Sequence, residues 1–266
     1  MKKRSITLVA ILLISAFTFH SCDEDGDFNL FSVEQDVQFG EDFDSQIRSS
    51  GEYEFLSRTQ YSDAYTHLDR IKNEILQSDE FIHKEDFKWK VAIIRDDDVL
   101  NAFAVPGGYM YFYTGLIKYL DNEAQFAGVM AHEMAHVDKR HSTEMMTKQY
   151  GFDLMLALIM GDNASKWAEI GAELAKGLGN LQFSRQNEYE ADEFAVKFTA
   201  DTELHPKGVA GFFEKLEGSP RLPEFLSTHP SPENRIENIN DVWVSIGSPD
   251  GGEYTTRYQD FQNSLP

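Results

Sequence analysis

The run Val129-Met130-Ala131-His132-Glu133-Met134-Ala135-His136-Val137 holds the residues best suited to chemistry. Nothing after Gly128 breaks a helix there, and residues four apart on a helix lie one above the other on one face. His132 and His136 can therefore aim both imidazoles at one cation. Zinc suits such a pair, because it takes neutral imidazole nitrogens at about 2.0–2.1 Å and keeps an open position in catalytic sites. Glu133 follows His132 directly and points around the helix. It is badly placed to ligate beside both histidines but well placed to act as general base on a water at the ion. Two histidines and an acid also meet by chance, so the pattern demands a third protein ligand.

Glu188-Tyr189-Glu190-Ala191-Asp192 offers one. Glu188 and Asp192 lie one helical turn apart. One carboxylate can ligate, and the other can accept a hydrogen bond from the outer N–H of a ligating histidine, which fixes its tautomer. Spacing alone leaves Glu188, Glu190 and Glu193 all open. His141 stands in a polar setting and reads as a structural or orienting residue rather than a ligand.

The elements that must position these groups follow from periodicity and punctuation. Ser32 with Gln35 forms a capping box, which predicts a helix over 32–48, and Gly51 breaks the chain. Tyr65, Leu68, Ile71 and Ile75 share a face of a second helix over 61–76. Trp89, Val91 and Ile93 suggest a strand. Residues 101–105 and 109–113 read as two strands around a Pro106-Gly107-Gly108 turn. A short helix follows from Thr114, and Asp121 or Asn122 caps the histidine helix, which is expected to run past Lys139. The apolar stretch 154–160 is too short to span a bilayer and reads as a core or lid helix. Further helices are expected over 166–178, 184–200, 206–216 and 232–244. Ser227 to Pro232 should be a loop.

Composition narrows the function. The 266 residues suffice for one large core and at most two domains. A net charge of −21, from 45 acidic and 24 basic residues, argues against nucleic acid as a partner, since phosphate binding needs clustered Lys and Arg. The one cysteine, Cys22, excludes an intrachain disulfide and a thiolate zinc cluster. Lys2, Lys3 and Arg4 precede an apolar segment from Ile6 to Phe19, the pattern of an export signal. Cys22 at its end resembles the lipid-attachment site of a bacterial lipoprotein, although Phe19 stands where that motif prefers Leu. Asp23-Glu24-Asp25-Gly26-Asp27 reads as a solvated tether. It resembles both acidic surface-export signals and signals that retain lipoproteins at the inner membrane.

Four blocks together resemble a known family: His132 through His136, Glu188 through Asp192, residues 101–108, and Thr228-His229-Pro230 with Arg235. In order and spacing they are similar to the zinc metallopeptidase family of the CAAX prenyl protease, HtpX and BepA, over about residues 32–244. The resemblance implies a gluzincin metallopeptidase domain of α+β class, mostly α-helical, with a small β-sheet beside the HExxH helix. It implies one Zn2+ per chain, held by His132, His136 and Glu188, with Glu133 as catalytic base. Asp192 matches the family's acidic residue behind a ligand. His229 matches a histidine that approaches the zinc in some members, as a self-inhibiting fourth ligand or near the oxyanion. Arg235 matches an arginine paired with the acids of the site. Ala102 to Val105 would be an edge strand that an extended peptide joins through backbone hydrogen bonds, with Asn101, Ala102, Phe103 and Ala104 as the substrate-binding residues.

HtpX and the prenyl protease are integral membrane proteins, whereas no spanning helix is expected here after the signal. BepA adds helical repeats. The chain thus resembles a short, lipoprotein-type member, and prenyl-protein processing is not implied. The expected organisation is a signal peptide over 1–21, a lipid-anchored acidic tether over 22–31, the peptidase domain over 32–244 and a polar tail over 245–266. The expected function is endoproteolysis of unfolded or misassembled cell-envelope proteins, with polypeptides as substrates and the membrane contacted through Cys22. The location is the bacterial envelope, on the periplasmic or surface face of the outer membrane. The alternative is a chaperone-like outer-membrane assembly factor whose protease site is self-inhibited.

Overall fold

The structure is a computed structural model that describes residues 29–160, 182–217, 224–230 and 234–266, with side chains outside 152–160. One helix, α4 (Glu123–Asp138), forms its axis. All of its residues except Gln125 are buried. A helix apolar nearly all round must be enclosed on every side, and here the chain supplies those sides. In order they are α1 (Val33–Ser49), α2 (Ser62–Ile75), β1 (Lys90–Ile94), β2 (Ala102–Val105), β3 (Tyr109–Tyr113) and α3 (Thr114–Tyr119). After α4 come α5 (His141–Met160), α6 (Arg185–Ala200), α7 (Gly208–Glu217), the single turn α8 (Phe225–Thr228), α9 (Arg235–Ser245) and α10 (Thr255–Asn263). Among the described residues no helix is long and apolar enough to cross a membrane.

The sheet has the order β1-β3-β2, with β1 parallel and β2 antiparallel to β3. Successive side chains of a strand face opposite ways, and both faces are covered. Val91, Ile93, Ala102, Met110 and Phe112 join the core around α4. Ala92, Ile94, Phe103, Val105, Tyr109 and Tyr111 join a second cluster with Phe39, Phe43 and Ile47 of α1. The outer edge of β1 is partly closed by the segment before α2, where Leu56 N donates to Ile93 O at 2.9 Å and Arg95 N donates to Glu54 O at 2.8 Å. β2 is the opposite edge, and it runs beside α4.

Two glycines set how closely layers approach. Gly107, at φ +78°, turns β2 into β3 while α1 presses on it: a Cβ there would lie 2.7 Å from Asp36 O. Gly128 lets α7 meet α4 backbone to backbone, since a Cβ would fall 2.1 Å from Val209 N.

Most predicted elements form near their expected bounds. Ser32 and Gln35 make the capping box of α1, and Asn122 caps α4 through Gln125 N. Four expectations require correction. The histidine helix does not pass Lys139: it ends at Asp138, and Arg140 adopts a left-handed backbone, φ +56°. The cause is polar anchoring. The Asp138 carboxylate accepts hydrogen bonds from Ile82 N and His83 N, and Arg140 reaches Asp36 Oδ2 at 2.7 Å. The stretch from residue 247 is no tail, because α10 buries Tyr258 and Phe261 completely in the core around α4. Residues 29–31 belong to the folded body rather than to the tether: Phe31 is buried, and Asn29 Nδ2 donates to Thr143 Oγ1 at 3.0 Å. Part of the expected 227–232 loop is helical, as α8. The signal segment, Cys22 and the helix expected over 166–178 lie outside the described residues.

Candidate metal centre

α4, α6 and the turn after α8 converge on one point. His132, His136, Glu188 and His229 each bring a nitrogen or oxygen there, all within 4.8 Å of one another and all buried. The mutual distances are 3.0 Å between His136 Nε2 and His132 Nε2, 3.3 Å between His132 Nε2 and His229 Nδ1, and 3.1 Å between His229 Nδ1 and Glu188 Oε1. His136 Nε2 stands 3.7 Å from Glu188 Oε1. Two ligands of one tetrahedral ion at about 2.0–2.1 Å stand about 3.3 Å apart. The observed separations bracket that value, so the donor set fits a single small divalent cation. The donor chemistry, imidazole with carboxylate, suits zinc and its first-row neighbours.

The local sequence explains the convergence. Ser184 forms a capping box with Asn187, which starts α6 so that Glu188 lies in its first turn. Asp192 follows one turn later and meets the outer nitrogen of His132, with Oδ1 2.9 Å from Nδ1. Arg235, the first residue of α9, grips Asp192 with two hydrogen bonds of 2.5 and 2.7 Å and places Nη2 3.0 Å from Glu188 Oε2. Its guanidinium lies over the Phe213 ring at 4.0 Å. The structure thus brings Glu133, Glu188, Asp192, His229 and Arg235 to the histidine pair, and it separates Glu188 from Glu190: Glu190 turns away to His141, with Oε2 3.2 Å from Nε2.

Burial dominates the electrostatics. It holds the His132 imidazole below its ordinary range and that of His136 well below it. It pushes the Glu133 carboxyl up to about 7. Burial would also raise Glu188 and lower His229, but the two attract each other and reverse both shifts. Glu133 Oε1 and Glu188 Oε2 are buried without a hydrogen bond, although His229 Nε2 and Arg235 Nη2 stand 3.3 and 3.0 Å away. Buried acceptors seldom go unpaired, and a cation held among the imidazoles would engage the Glu188 carboxylate, which converges with them.

A cavity of about 50 Å³ opens beside this cluster, lined by Ala104, Pro106, Glu133, Phe183, Thr228 and His229 among others. Glu133 therefore faces the same space as the edge strand. Ala102 and Ala104 face α4, Phe103 faces α1, and Asn101 is buried with Oδ1 unpaired. Two participants were not legible as such. Phe183 stacks on the His136 ring at 3.9 Å, and Phe225 stacks on His229 at 4.3 Å. An aromatic residue just before a helix or in a single helical turn carries no sign in sequence of which ring it will meet.

The profile of peptidase family M48 matches residues 64–242. The chain belongs to peptidase family M48. The matched region holds every residue of the cluster. Among curated relatives, the beta-barrel assembly-enhancing protease of Escherichia coli K12 is 34% identical over 159 residues, covering 55% of this chain and 33% of its own. The corresponding protein of Yersinia pestis is 28% identical over 225 residues, covering 79% of this chain and 44% of its own. The mitochondrial metalloendopeptidase OMA1 of Arabidopsis thaliana is 30% identical over 159 residues, covering 58% of this chain and 31% of its own. The chain thus spans less than half of the length of these relatives, from 31% to 44%.

Proposed function

We propose that this M48 protein is a zinc-dependent endopeptidase that cleaves unfolded or misassembled proteins of the bacterial cell envelope. The observation that carries the reading is the convergence of His132, His136 and Glu188 from two separate helices, with Glu133 beside them facing an edge strand. His132, His136 and Glu188 would hold the ion. When bound, zinc supplies Lewis-acid chemistry: it lowers the pKa of a water toward about 7 and polarises a peptide carbonyl. Glu133 takes the proton from the attacking water and delivers it to the leaving amine. Asp192 orients His132, and Arg235 holds Asp192. An extended peptide joins the free edge of β2, so recognition reads backbone more than side chains. That mode suits unfolded substrates.

The envelope location rests on the signal-like amino terminus and on Cys22 as a lipid-attachment site. The names of the bacterial relatives, which refer to β-barrel assembly, support the same compartment. The decisive experiment replaces Glu133 with Gln. Zinc stoichiometry should stay at one per chain while cleavage of an unfolded casein falls at least about 100-fold, the usual worth of a general base. Undiminished cleavage in that variant would sink the mechanism.

His229 favours a second reading, an assembly factor whose protease is normally shut. Its Nδ1 stands among the ligand atoms, 3.3 Å from His132 Nε2 and 3.1 Å from Glu188 Oε1, where a fourth ligand would sit. On that reading His229→Ala speeds casein cleavage. A slower variant instead marks His229 as a participant in hydrolysis.

A further inference from the structure

His136 Nε2 faces the other ligand atoms, 3.0 Å from His132 Nε2. Its second nitrogen, Nδ1, lies 2.9 Å from Nδ1 of His141. The far nitrogen of His141, Nε2, lies 3.2 Å from Glu190 Oε2. This chain of contacts permits one proton arrangement when His136 gives its Nε2 lone pair to a cation. His136 must then carry its hydrogen on Nδ1 and donate it to His141 Nδ1. His141 must carry its hydrogen on Nε2 and donate it to the Glu190 carboxylate.

We propose, on the metallopeptidase reading above, that His141 and Glu190 are positioning residues for the metal centre. They form a relay that fixes the tautomer and ring direction of His136. It is the counterpart of the direct contact from Asp192 to His132, where Oδ1 meets Nδ1 at 2.9 Å. Each ligand histidine is thereby held from behind by a carboxylate, one directly and one through a second imidazole. Such partners orient a ligand and raise its basicity.

The fold is shaped to deliver this contact. A histidine five residues after His136 on a continuous helix would point away from it. The left-handed backbone at Arg140, φ +56°, ends α4 and starts α5 at His141, which folds the imidazole back onto His136. A non-glycine residue in that conformation costs roughly 1 kcal/mol or more, and the Arg140 bond to Asp36 helps to offset it. One turn along, Asn187 Nδ2 donates to Glu144 Oε2 at 3.0 Å and locks α5 to α6 in the register that pairs His141 with Glu190. His141 itself is 1% exposed, so water does not compete for its nitrogens.

The test uses the full chain and measures zinc affinity by competition with a chelating dye, alongside thermal melting. His141→Leu removes both hydrogen bonds and should weaken zinc binding 10–100-fold. His141→Gln keeps an acceptor toward His136 and should stay within about fivefold of the parent chain. Glu190→Gln should fall between the two. Parental affinity in His141→Leu overturns the relay, and so does a glutamine variant as weak as the leucine one, because packing of the ring would then be the whole role. If the leucine variant does not fold, Glu190→Gln and ring-nitrogen NMR of the zinc-loaded parent chain decide. The relay requires the hydrogen on Nε2 of His141 and on Nδ1 of His136; a hydrogen on Nδ1 of His141 overturns it. Absence of stoichiometric zinc in the parent chain defeats the metallopeptidase reading, and the relay with it, whereas the other failures leave that reading intact.

Discussion

Asp192 illustrates how much one side chain does at the centre. It accepts two hydrogen bonds from Arg235 and faces the outer nitrogen of His132, and both Asp192 and Arg235 are almost wholly buried. Removing one member of a buried, hydrogen-bonded ion pair leaves the other charge unsolvated, at a cost of about 3–5 kcal/mol. Glu188 also lies near Arg235, so the lower figure applies. Asp192→Ala should therefore lose about 3 kcal/mol in denaturant unfolding of the metal-free chain. It should also bind zinc 10–100-fold more weakly. A variant with unchanged stability in the absence of metal would show that Arg235 is satisfied without Asp192. Phe183 and Phe225 act differently: they bury the faces of His136 and His229 and so limit water in a site where electrostatic contacts must count.

At the scale of elements, the helix α4 does two jobs that conflict. It must carry polar groups to a site and also be the most enclosed helix in the fold. The glycine at 128 reconciles α4 with α7, because their backbones meet where a side chain would stand. Gly128→Ala forces a methyl group to within 2.1 Å of Val209 N, where only backbone could yield. Overpacking of this kind costs about 1–3 kcal/mol, and the upper end is expected here. Because α7 and α6 pack on the same helix, the variant should also lose zinc affinity, which calorimetric titration would register. A thermal midpoint equal to that of the parent chain would refute the account of close packing.

β2 has the opposite character. Tyr113 N donates to Asn101 O, so by the alternation of an antiparallel ladder the Ala104 N–H, opposite Met110, faces away from β3. Proline is tolerated on a strand edge where the N–H faces outward. Ala104→Pro should therefore leave the fold and the metal content intact while slowing peptide cleavage at least tenfold, by removing an outward N–H that an extended substrate would pair with. A cleavage rate equal to that of the parent chain would mean that substrate does not use this edge.

At the scale of the whole molecule, the carboxyl-terminal helix closes the body against the start of α4. Glu123, fully buried, accepts paired hydrogen bonds from Arg70 of α2 and from Arg257 of α10. Tyr258 donates to Ile117 O at 2.7 Å, and Phe261 stacks on His67. Each large buried side chain contributes about 1.5–3 kcal/mol. Truncation after Gly247 removes both rings and one side of the Glu123 pairing. It should lower stability by about 5 kcal/mol or more, a large share of the 5–15 kcal/mol typical of a domain. The truncated chain should be found in inclusion bodies or melt far below the full one; a soluble chain with an unchanged melting curve would show that α10 is dispensable.

The same helix marks where reading the sequence stopped. Residues 247–266 are polar and open with glycines, and their few apolar residues have no long periodic run to announce a helix. Only packing against α2, α3 and α4 gives Tyr258 and Phe261 a place to go. By contrast, the capping box at Ser32, the Pro106-Gly107-Gly108 turn, and the three- and four-residue periodicity of α2 are local. Neighbours in sequence determine them, so they were legible. The histidine pair and Glu133 were legible for the same reason, since helix geometry alone puts His132 over His136.

What residue order could not decide was which distant groups would answer that pair. Glu188, Glu190 and Glu193 are the same chemical type on the same helix, and only the face that α6 presents to α4 turns Glu188 inward and gives Glu190 to His141. The bend at Arg140 belongs to the same class, because it depends on Asp36, more than a hundred residues earlier. Short-range backbone preference wrote the elements and the metal-binding motif into the chain. Long-range packing chose the third carboxylate, the partners behind each imidazole and the closing helix, because those choices depend on where elements meet and not on what any one of them prefers.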